Sequence, residues 1–393
     1  MANSNFRPIF HPTGAQTKGM TDQFSPEDEE YMRLALTLAG QAQGRTSPNP
    51  MVGCVVVRNG QIVGQGYHRQ AGTPHAEVHA LAAAGDEANG ATLYVTLEPC
   101  SHFGRTPPCA DAIIRAGVKR VVAAMVDPNP LVAGKGLSRL RAAGIEVATG
   151  LLATEAARLN EAFIKAITIG LPLITYKAAF TVDGKLATAS GDSRWVSSEA
   201  SRQLVHQMRN RYDVIMVGSE TVLLDDPQLN CRYPGGRDPI RLVVDGELRT
   251  PVTAQILRSS ATAPCILATT QAAPAPKLAQ LSALPGVEIW SYPTPRYVPL
   301  PDLAADIRKR GWNSVLLEGG GKLAGAMLAA GLIDKVEFFL APKLLGGDGL
   351  SPFAGGEPKR MADALHLYDL AISLATGDIH LTAYLHPPAL KAR

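Results

Sequence analysis

The chain has 393 residues, of which 46% are hydrophobic and 19% charged, and its formal net charge is +3. This length suits two globular domains, and the composition is unlike that of a disordered chain. So small a charge, with only 6% aromatic residues, argues against a nucleic-acid partner, and no apolar run approaches the ~20 residues of a membrane span.

The cysteines and the N-terminal residues indicate the compartment and the point where order begins. Five cysteines without regular spacing predict a cytoplasmic protein with no disulfide framework. Residues 1–24 are polar and lack periodicity, so we expect a disordered extension or an addition to the native chain, which could start at Met20.

A first domain is predicted over residues 25–170. Ser25-Pro26 followed by acids is typical of a helix N-terminus, and Asn59-Gly60 predicts a two-residue turn between strands at 52–57 and 61–66. Next come a helix at 75–84, a strand at 92–97, a helix at 109–116, a strand at 118–126, a helix at 137–143 and a strand at 145–148. The order ββαβαβαβ predicts an α/β layered domain, which a single helix over 155–169 would close.

The same domain contains a candidate zinc site at His75, Cys100 and Cys109. One imidazole and two thiolates are ligands that zinc selects, and three protein ligands leave a fourth position open, as in catalytic sites. Glu77, two residues after the histidine, would then move protons without being a ligand. Histidine-x-glutamate followed by proline-cysteine is the signature of zinc nucleobase deaminases, although eight residues separate Cys100 from Cys109 where that signature has two.

Two further observations bear on this zinc site. Each cysteine follows a proline at a predicted helix start, whose positive end favours a thiolate. Taken singly, the histidine could be an ordinary polar residue and the cysteines buried apolar ones. The joint pattern favours zinc.

A second domain is predicted over residues 171–393. Its predicted strands lie at 173–180, 213–217, 240–244, 265–269, 287–290, 314–317, 336–340 and 379–384. Its predicted helices lie at 199–211, 218–224, 277–283, 303–309 and 322–330.

Glycines 319–321 follow a strand and open a helix, where bare N–H groups can meet a phosphate. No strict Gly-x-Gly-x-x-Gly occurs, and the looser form ending at Ala324 stands too near the C-terminus for a doubly wound dinucleotide domain. The triple glycine could equally be a tight turn. Trp195 could stack on a ring or fill a core, and Arg209 and Arg232 could clamp a phosphate or be solvated. The residues alone predict a small-molecule domain.

Two motif sets, in order, resemble those of the RibD family of bifunctional riboflavin-biosynthesis proteins from about residue 27 to 388. The first set is Asn49-Pro50-x-Val52-Gly53, His75-Ala76-Glu77 and the run from Pro99 to Cys109, whose long inter-cysteine loop is characteristic of that family. The second set is Lys177-x-Ala179, Asp183-Gly184, Ser193-x-Trp195, Gly218-x-x-Thr221, Asp225-Asp226-Pro227 and Glu318-Gly319-Gly320.

The resemblance implies an N-terminal cytidine-deaminase-like three-layer domain and a dihydrofolate-reductase-like α/β domain. It implies zinc-dependent hydrolytic deamination of a phosphoribosylamino-diaminopyrimidinone to the aminouracil, then reduction of the ribosyl to the ribityl chain with NADPH. The cofactors would be Zn²⁺ and NADPH, and the partners phosphorylated pyrimidines. We expect a homo-oligomer, with a dimer favoured.

The family's motifs also imply roles for residues of this chain. The deaminase substrate would be held by Asn49, His68 and Arg105. NADPH would be bound by Ala179, Trp195, Thr221, Asp225, Gly320 and Gly321. The reductase substrate would be bound by Lys177, Ser193, Arg209, Leu229, Arg232 and Glu318. Lys177 and Asp225 would lie nearest the hydride transfer, and which of them, if either, donates a proton stays open.

Two other classes of function compete with this interpretation. A nucleic-acid-editing deaminase would favour a basic, aromatic-rich surface, which the composition does not supply. A zinc-stabilised scaffold would need no catalysis, and replacing Glu77 by glutamine separates it from an enzyme.

Overall fold

The computed structural model describes residues 24–101, 107–356 and 360–387. Within these ranges the strands form two sheets, one of five strands in the first half and one of nine in the second. The predicted extension at residues 1–24 lies outside the description except for Phe24, which packs against the first domain's core. In the described ranges, no helix has the length and apolar character needed to cross a membrane.

The first sheet follows the predicted order of elements, after one initial helix. These elements are α1 (Pro26–Gly40), β1 (Gly53–Arg58), β2 (Gln61–Tyr67), α2 (Ala76–Ala84), β3 (Thr92–Val95), α3 (Cys109–Arg115), β4 (Arg120–Ala123), α4 (Lys135–Ala142) and β5 (Glu146–Thr149). The strand order is β2-β1-β3-β4-β5, with β1 antiparallel to both neighbours and β3, β4 and β5 parallel. Ser25 and Asp28 cap α1 reciprocally, and Asn59 and Gly60 adopt the positive φ that the hairpin turn needs.

Helices cover both faces of this sheet, so the domain has three layers. α2, α3 and α4 pack on one face, and α1 with the helices that follow β5 packs on the other. α2 can approach β2 closely because Gly64 has no side chain. A Cβ at that position would stand only 2.1 Å from the Ala80 carbonyl oxygen. This close packing fixes the N-terminus of α2, immediately after His75.

The prediction of one helix over 155–169 is wrong. There are two helices, α5 (Ala153–Leu159) and α6 (Glu161–Thr168), separated by Asn160 with φ −108° and ψ 20°. The Asn160 side chain accepts from the Met51 N–H at 2.8 Å and donates to the Met51 carbonyl at 2.9 Å. This pairing with a distant loop explains the break, which helical periodicity cannot reveal.

The second sheet contains the remaining elements. They are β6 (Leu173–Thr181), α7 (Glu199–Arg211), β7 (Val214–Gly218), α8 (Ser219–Asp225), β8 (Ile240–Val244), α9 (Gln255–Arg258), β9 (Cys265–Thr270), α10 (Ala275–Ser282), β10 (Val287–Tyr292), α11 (Leu300–Lys309), β11 (Ser314–Leu317), α12 (Gly321–Ala329), β12 (Lys335–Ala341), β13 (Tyr368–Ser373) and β14 (Ile379–Tyr384). The order is β10-β9-β8-β7-β11-β6-β12-β14-β13, in which the first seven strands are parallel and β14 is antiparallel to both neighbours.

The central parallel strands β7, β8, β9 and β11 are buried on both faces, which accounts for their largely continuous apolar sequences. Val315 and Leu317 face one core cluster, and Leu316 between them faces the other. The carboxyl ends of β6, β7, β11 and β12 therefore meet at one edge, where ligands bind in open α/β sheets. Two elements, the four-residue α9 and the strand β13, are absent from the sequence prediction.

Candidate metal centre and nucleotide site

The three predicted zinc ligands converge. His75 Nδ1 lies 3.6 Å from the Cys100 sulfur and 3.3 Å from the Cys109 sulfur, and all three ligand atoms lie within 4.8 Å of one another. A nitrogen and a sulfur bound tetrahedrally to zinc stand about 3.5 Å apart. The donor types and their separations therefore fit a zinc ion held by three protein ligands.

The prediction that both ligand loops fall at helix starts is only partly right. His75 is the N-cap of α2 and Cys109 is the first residue of α3, whereas Cys100 lies in the loop after β3. The Cys109 N–H nevertheless donates to the Cys100 sulfur at 3.3 Å. The Cys109 side chain, helped by His75, lowers the pKa of Cys100 to about 4.

The pKa values of the two cysteines are shifted in opposite directions. Because the Cys109 thiol donates to the Cys100 thiolate, the pKa of Cys109 is raised. Contact with Cys100 also raises the pKa of His75. A cation held among these atoms would favour the thiolate form of both cysteines.

Glu77 stands in the first turn of α2 and is 3% exposed. Burial raises its pKa to about 7, against the attraction of the neighbouring His75. It lies beside the three ligands without belonging to the cluster of ligand atoms. A buried carboxyl group at this place can exchange a proton with a molecule bound at the centre.

Glu98 is a residue of this site that sequence reasoning missed. Its side chain is 4% exposed and accepts four backbone N–H groups. The donors are Asp127 at 3.1 Å, Gly134 at 2.9 Å, Gly136 at 2.8 Å and Leu137 at 3.3 Å. Glu98 therefore links the Cys100 loop to the segment before α4 and to the first turn of α4. The only signal in the sequence was an acid directly before Pro99-Cys100.

Two of the three predicted deaminase-substrate residues lie near the predicted metal ligands, His68 against His75 and Asn49 against His68. His68 is 2% exposed, and its ring centroid lies 5.4 Å from that of His75. Its Nδ1 lies 3.2 Å from the Pro74 carbonyl oxygen and its Nε2 lies 3.3 Å from the Asn49 amide nitrogen, so the proton resides on Nδ1. Burial lowers the pKa of His68, which favours this neutral form. The third predicted residue, Arg105, lies outside the described residues.

Charged side chains converge at the edge of the second sheet. Arg209 on α7 meets Glu318 after β11 through two hydrogen bonds of 2.8 Å, and donates to the Asn230 carbonyl at 3.1 Å. Burial opposes the charge on Glu318, but Arg209 and Lys177 hold its pKa below the usual range. Burial lowers the pKa of Lys177, against the attraction of Glu318. Arg209 is thus buried and paired, and is not the solvated surface arginine of one sequence alternative.

The predicted glycines have different environments. Gly320 is the N-cap of α12, and in the described ranges no side chain caps this N-terminus. A Cβ on Gly320 would find only the Thr221 hydroxyl, at 3.9 Å, whereas one on Gly321 would stand 2.3 Å from the Ser351 carbonyl oxygen. Gly320 and Thr221 therefore face open space that a phosphate can enter, while Gly321 is required by the chain segment packed on α12.

The predicted residues of the 193–225 region lie around this edge. Trp195 is 65% exposed, which excludes the core-filling alternative, and the Arg202 guanidinium lies 4.6 Å from its ring centroid. Arg194, next to Ser193, donates to the Asp225 carbonyl at 3.0 Å, and burial raises the pKa of the Asp225 carboxyl group. An exposed indole face of this kind can stack on a planar ring.

The remaining predicted residues lie on and around α7. Leu229 is 5% exposed with φ 52°, and Ala179 packs against the same apolar cluster. The exposed Arg232 donates from Nε to His206 Nε2 at 3.1 Å. Burial, with Arg209 and Arg232 nearby, lowers the pKa of His206 to about 4, so the ring is neutral. Sequence reasoning missed His206, whose signal is its place one helical turn before Arg209.

Both halves match known families. Residues 172–381 match the family described as RibD C-terminal domain, and residues 25–125 match the cytidine and deoxycytidylate deaminase zinc-binding region. The chain is 45% identical to riboflavin biosynthesis protein RibD of Bacillus amyloliquefaciens over 358 residues, covering 91% of this chain and 96% of that one. It is 44% identical to riboflavin biosynthesis protein RibD of Escherichia coli K12 over 353 residues, covering 86% of this chain and 94% of that one.

Solved structures agree with these matches. Acinetobacter baumannii RibD superposes with a TM-score of 0.81 at 40% identity, covering 91% of this chain and 98% of that one. A diaminohydroxyphosphoribosylaminopyrimidine deaminase/5-amino-6-(5-phosphoribosylamino)uracil reductase from Thermotoga maritima gives 0.81 at 35% identity with the same coverage.

Proposed function

This chain belongs to the RibD family, and from that premise we propose how its residues divide the work of two reactions. It is a bifunctional enzyme of riboflavin biosynthesis that deaminates a phosphoribosylamino-diaminopyrimidinone and then reduces the ribosyl chain of the product. The fold is a cytidine-deaminase-like domain followed by a dihydrofolate-reductase-like one, with Zn²⁺ and NADPH as cofactors.

We propose that His75, Cys100 and Cys109 hold the zinc and that Glu77 transfers protons in deamination. The convergence of one ring nitrogen and two sulfurs within 4.8 Å is the observation that carries this proposal. Zinc bound there would lower the pKa of a water molecule at the open position to near neutrality. Glu77 then carries a proton to the amine that leaves the ring, while Asn49, His68 and Arg105 hold the substrate.

Replacing Glu77 by glutamine tests this assignment, because a glutamine of the same shape leaves the three ligands untouched. We expect one zinc per chain to be retained and deamination to fall by about two to four orders of magnitude. Reductase turnover measured in the same preparation is the internal control. Unchanged deamination would remove Glu77 from the mechanism and favour the scaffold alternative.

For reduction, we propose that NADPH lies over the uncapped N-terminus of α12, against Ala179, Trp195, Thr221, Asp225, Gly320 and Gly321. The open space between Gly320 and Thr221 supports this position. The substrate is held by Lys177, Ser193, Arg209, Leu229, Arg232 and Glu318. Because three donor groups of Arg209 already bind Glu318 and Asn230, Arg232 is the freer cation for the phosphate.

The Arg232 assignment can be tested kinetically. Arg232→Ala removes one charge-assisted contact, so the reductase KM for the phosphorylated substrate should rise about tenfold or more. The KM for NADPH should not change. An unaltered substrate KM would assign the phosphate to other residues.

We propose domain boundaries at residues 24/25 and 170/171. The change of sheet between β5 and β6 supports the second boundary. We also propose a cytoplasmic location, which the five free cysteines support, because a reducing compartment keeps thiols free.

We propose a homodimer formed through the sheet edge at β13. This strand pairs only with β14 in the described ranges, and it exposes Leu370 by 56% and Ile372 by 59%. An exposed apolar edge of this kind is stabilised when a second copy covers it. Light scattering should give twice the chain mass for the wild type and the chain mass for Leu370→Glu/Ile372→Glu; a monomeric wild type would refute the proposal.

A further inference from the structure

A loop of the deaminase domain is held by the reductase domain. The Ser47 hydroxyl donates to Asp213 Oδ2 at 2.9 Å, and the Asn313 amide donates to the Pro48 carbonyl at 2.9 Å. Asp213 and Asn313 are 6% and 3% exposed, and Asp213 also accepts the Asn313 N–H at 2.9 Å. We call Ser47, Pro48, Asp213 and Asn313 the interdomain brace.

The residue that follows the brace belongs to the deaminase site. Asn49 comes directly after Pro48, and its amide nitrogen lies 3.3 Å from His68 Nε2, whose ring stands against the metal ligand His75. On the far side of the loop, Met51 is fixed by the two bonds from Asn160. The loop that carries Asn49 is therefore held on one side by the reductase-domain residues of the brace and on the other by Asn160 of the deaminase domain.

The space around this loop is polar and loosely filled. A cavity of about 70 Å³ is lined by residues of both domains, including Asn49, Asn160, Asp213 and Asn313. In the described ranges the Asn313 side-chain oxygen is buried and has no hydrogen-bond partner. Because side chains do not pack tightly here, hydrogen bonds decide where the loop stands.

We infer that Asp213 and Asn313 of the reductase domain are positioning residues for deamination, because they set the place of Asn49 beside His68. The inference rests on the proposed role of Asn49 in holding the deaminase substrate. It makes the completeness of the deaminase site depend on docking of the reductase domain. The reductase site, which lies at the other end of β7 and β11, does not share this dependence.

The test uses Ser47→Ala and Asn313→Ala in the full-length enzyme. Each removes one side-chain bond of the brace, and the Asn313 backbone bond to Asp213 survives. We expect the deaminase KM to rise about three- to tenfold with kcat little changed. Reductase kcat and KM should stay at wild-type values, and Ser47→Thr, which keeps the hydroxyl, should restore the deaminase KM.

Lys165→Met is the matched control, because it removes another interdomain contact, the 2.6 Å ion pair with Asp334, away from the loop. It should leave the deaminase KM unchanged; an equal rise would mean that general loosening of the interface causes the effect and would overturn the inference. Asn49→Ala separates the inference from its premise. A raised KM for Asn49→Ala with wild-type KM for both brace variants overturns the inference alone, whereas a wild-type KM for Asn49→Ala overturns both.

Discussion

Replacing Glu98 by glutamine changes one acceptor oxygen of the side chain into an NH2 group. This donor would face two backbone N–H groups that need an acceptor. Each Glu98 oxygen accepts two backbone N–H groups at 2.8–3.3 Å, and the side chain is 4% exposed, so water cannot compensate. A hydrogen bond to a charged group contributes about 1.5–3 kcal/mol, so losing two costs about 3–6 kcal/mol. We expect the free energy of unfolding of the deaminase domain to fall by this amount.

Unfolding in urea is monitored through the release of zinc to a chromophoric chelator. Reductase activity in the same samples reports on the second domain. Because Cys100 lies two residues after Glu98, zinc should leave the variant at lower urea concentration. Glu87→Gln, on an exposed segment, is the control and should change stability by less than about 0.5 kcal/mol. A loss below about 1 kcal/mol with unchanged zinc release would refute the role assigned to Glu98.

Three further predictions concern the reductase domain. Gly325→Ala would put a Cβ 2.1 Å from the Ala354 carbonyl oxygen, so thermal unfolding should show a loss of about 1–3 kcal/mol in the free energy of unfolding. As a control, Gly40→Ala, whose Cβ would have nothing within 4 Å, should be neutral or stabilising. Equal effects of the two substitutions would contradict the close packing at Gly325. Arg209→Ala should raise the reductase KM and lower stability by about 3–5 kcal/mol, because Glu318 is left buried and unpaired; a further Glu318→Ala that recovers nothing would contradict this pairing. The unfolded chain protonates His206 near pH 6.5 but the folded chain only near a pKa of about 4, so the free energy of unfolding should fall between pH 6.5 and 5. Because solvent screens this partly buried ring, we expect a fall of about 1 kcal/mol. If the free energy of unfolding of His206→Gln falls equally between these pH values, this explanation is contradicted.

Local signals in the sequence predicted much of the fold. The cap at Ser25, the turn at Asn59-Gly60 and the buried apolar strands are each encoded within a few residues, and the structure confirms them. β13 escaped prediction because it is exposed along nearly its whole length and so lacks the alternation of a half-buried strand. The break at Asn160 depends on a contact with Met51, which lies far away in the sequence.

In the candidate sites too, some features could be predicted from local sequence and others depend on contacts between distant residues. The clustering of His75, Cys100 and Cys109 could be predicted because imidazole and thiolate are the ligand types that zinc selects, and the residues around them form a recognisable motif. The pairing of Arg209 with Glu318 could not, because 109 positions separate the two and each alone suggests a free binding group. Nor could spacing indicate that Glu98 accepts four N–H groups, since the donors lie 29–39 positions away in a loop and in the first turn of α4, where no motif marks them.

The central claim is that one imidazole and two sulfurs hold a zinc ion with one position open. X-ray absorption at the zinc edge of the purified protein tests it most directly. We predict one zinc per chain with two sulfur neighbours at about 2.3 Å and two nitrogen or oxygen neighbours at about 2.0–2.1 Å. A spectrum with four sulfur neighbours, or with none, would contradict the claim.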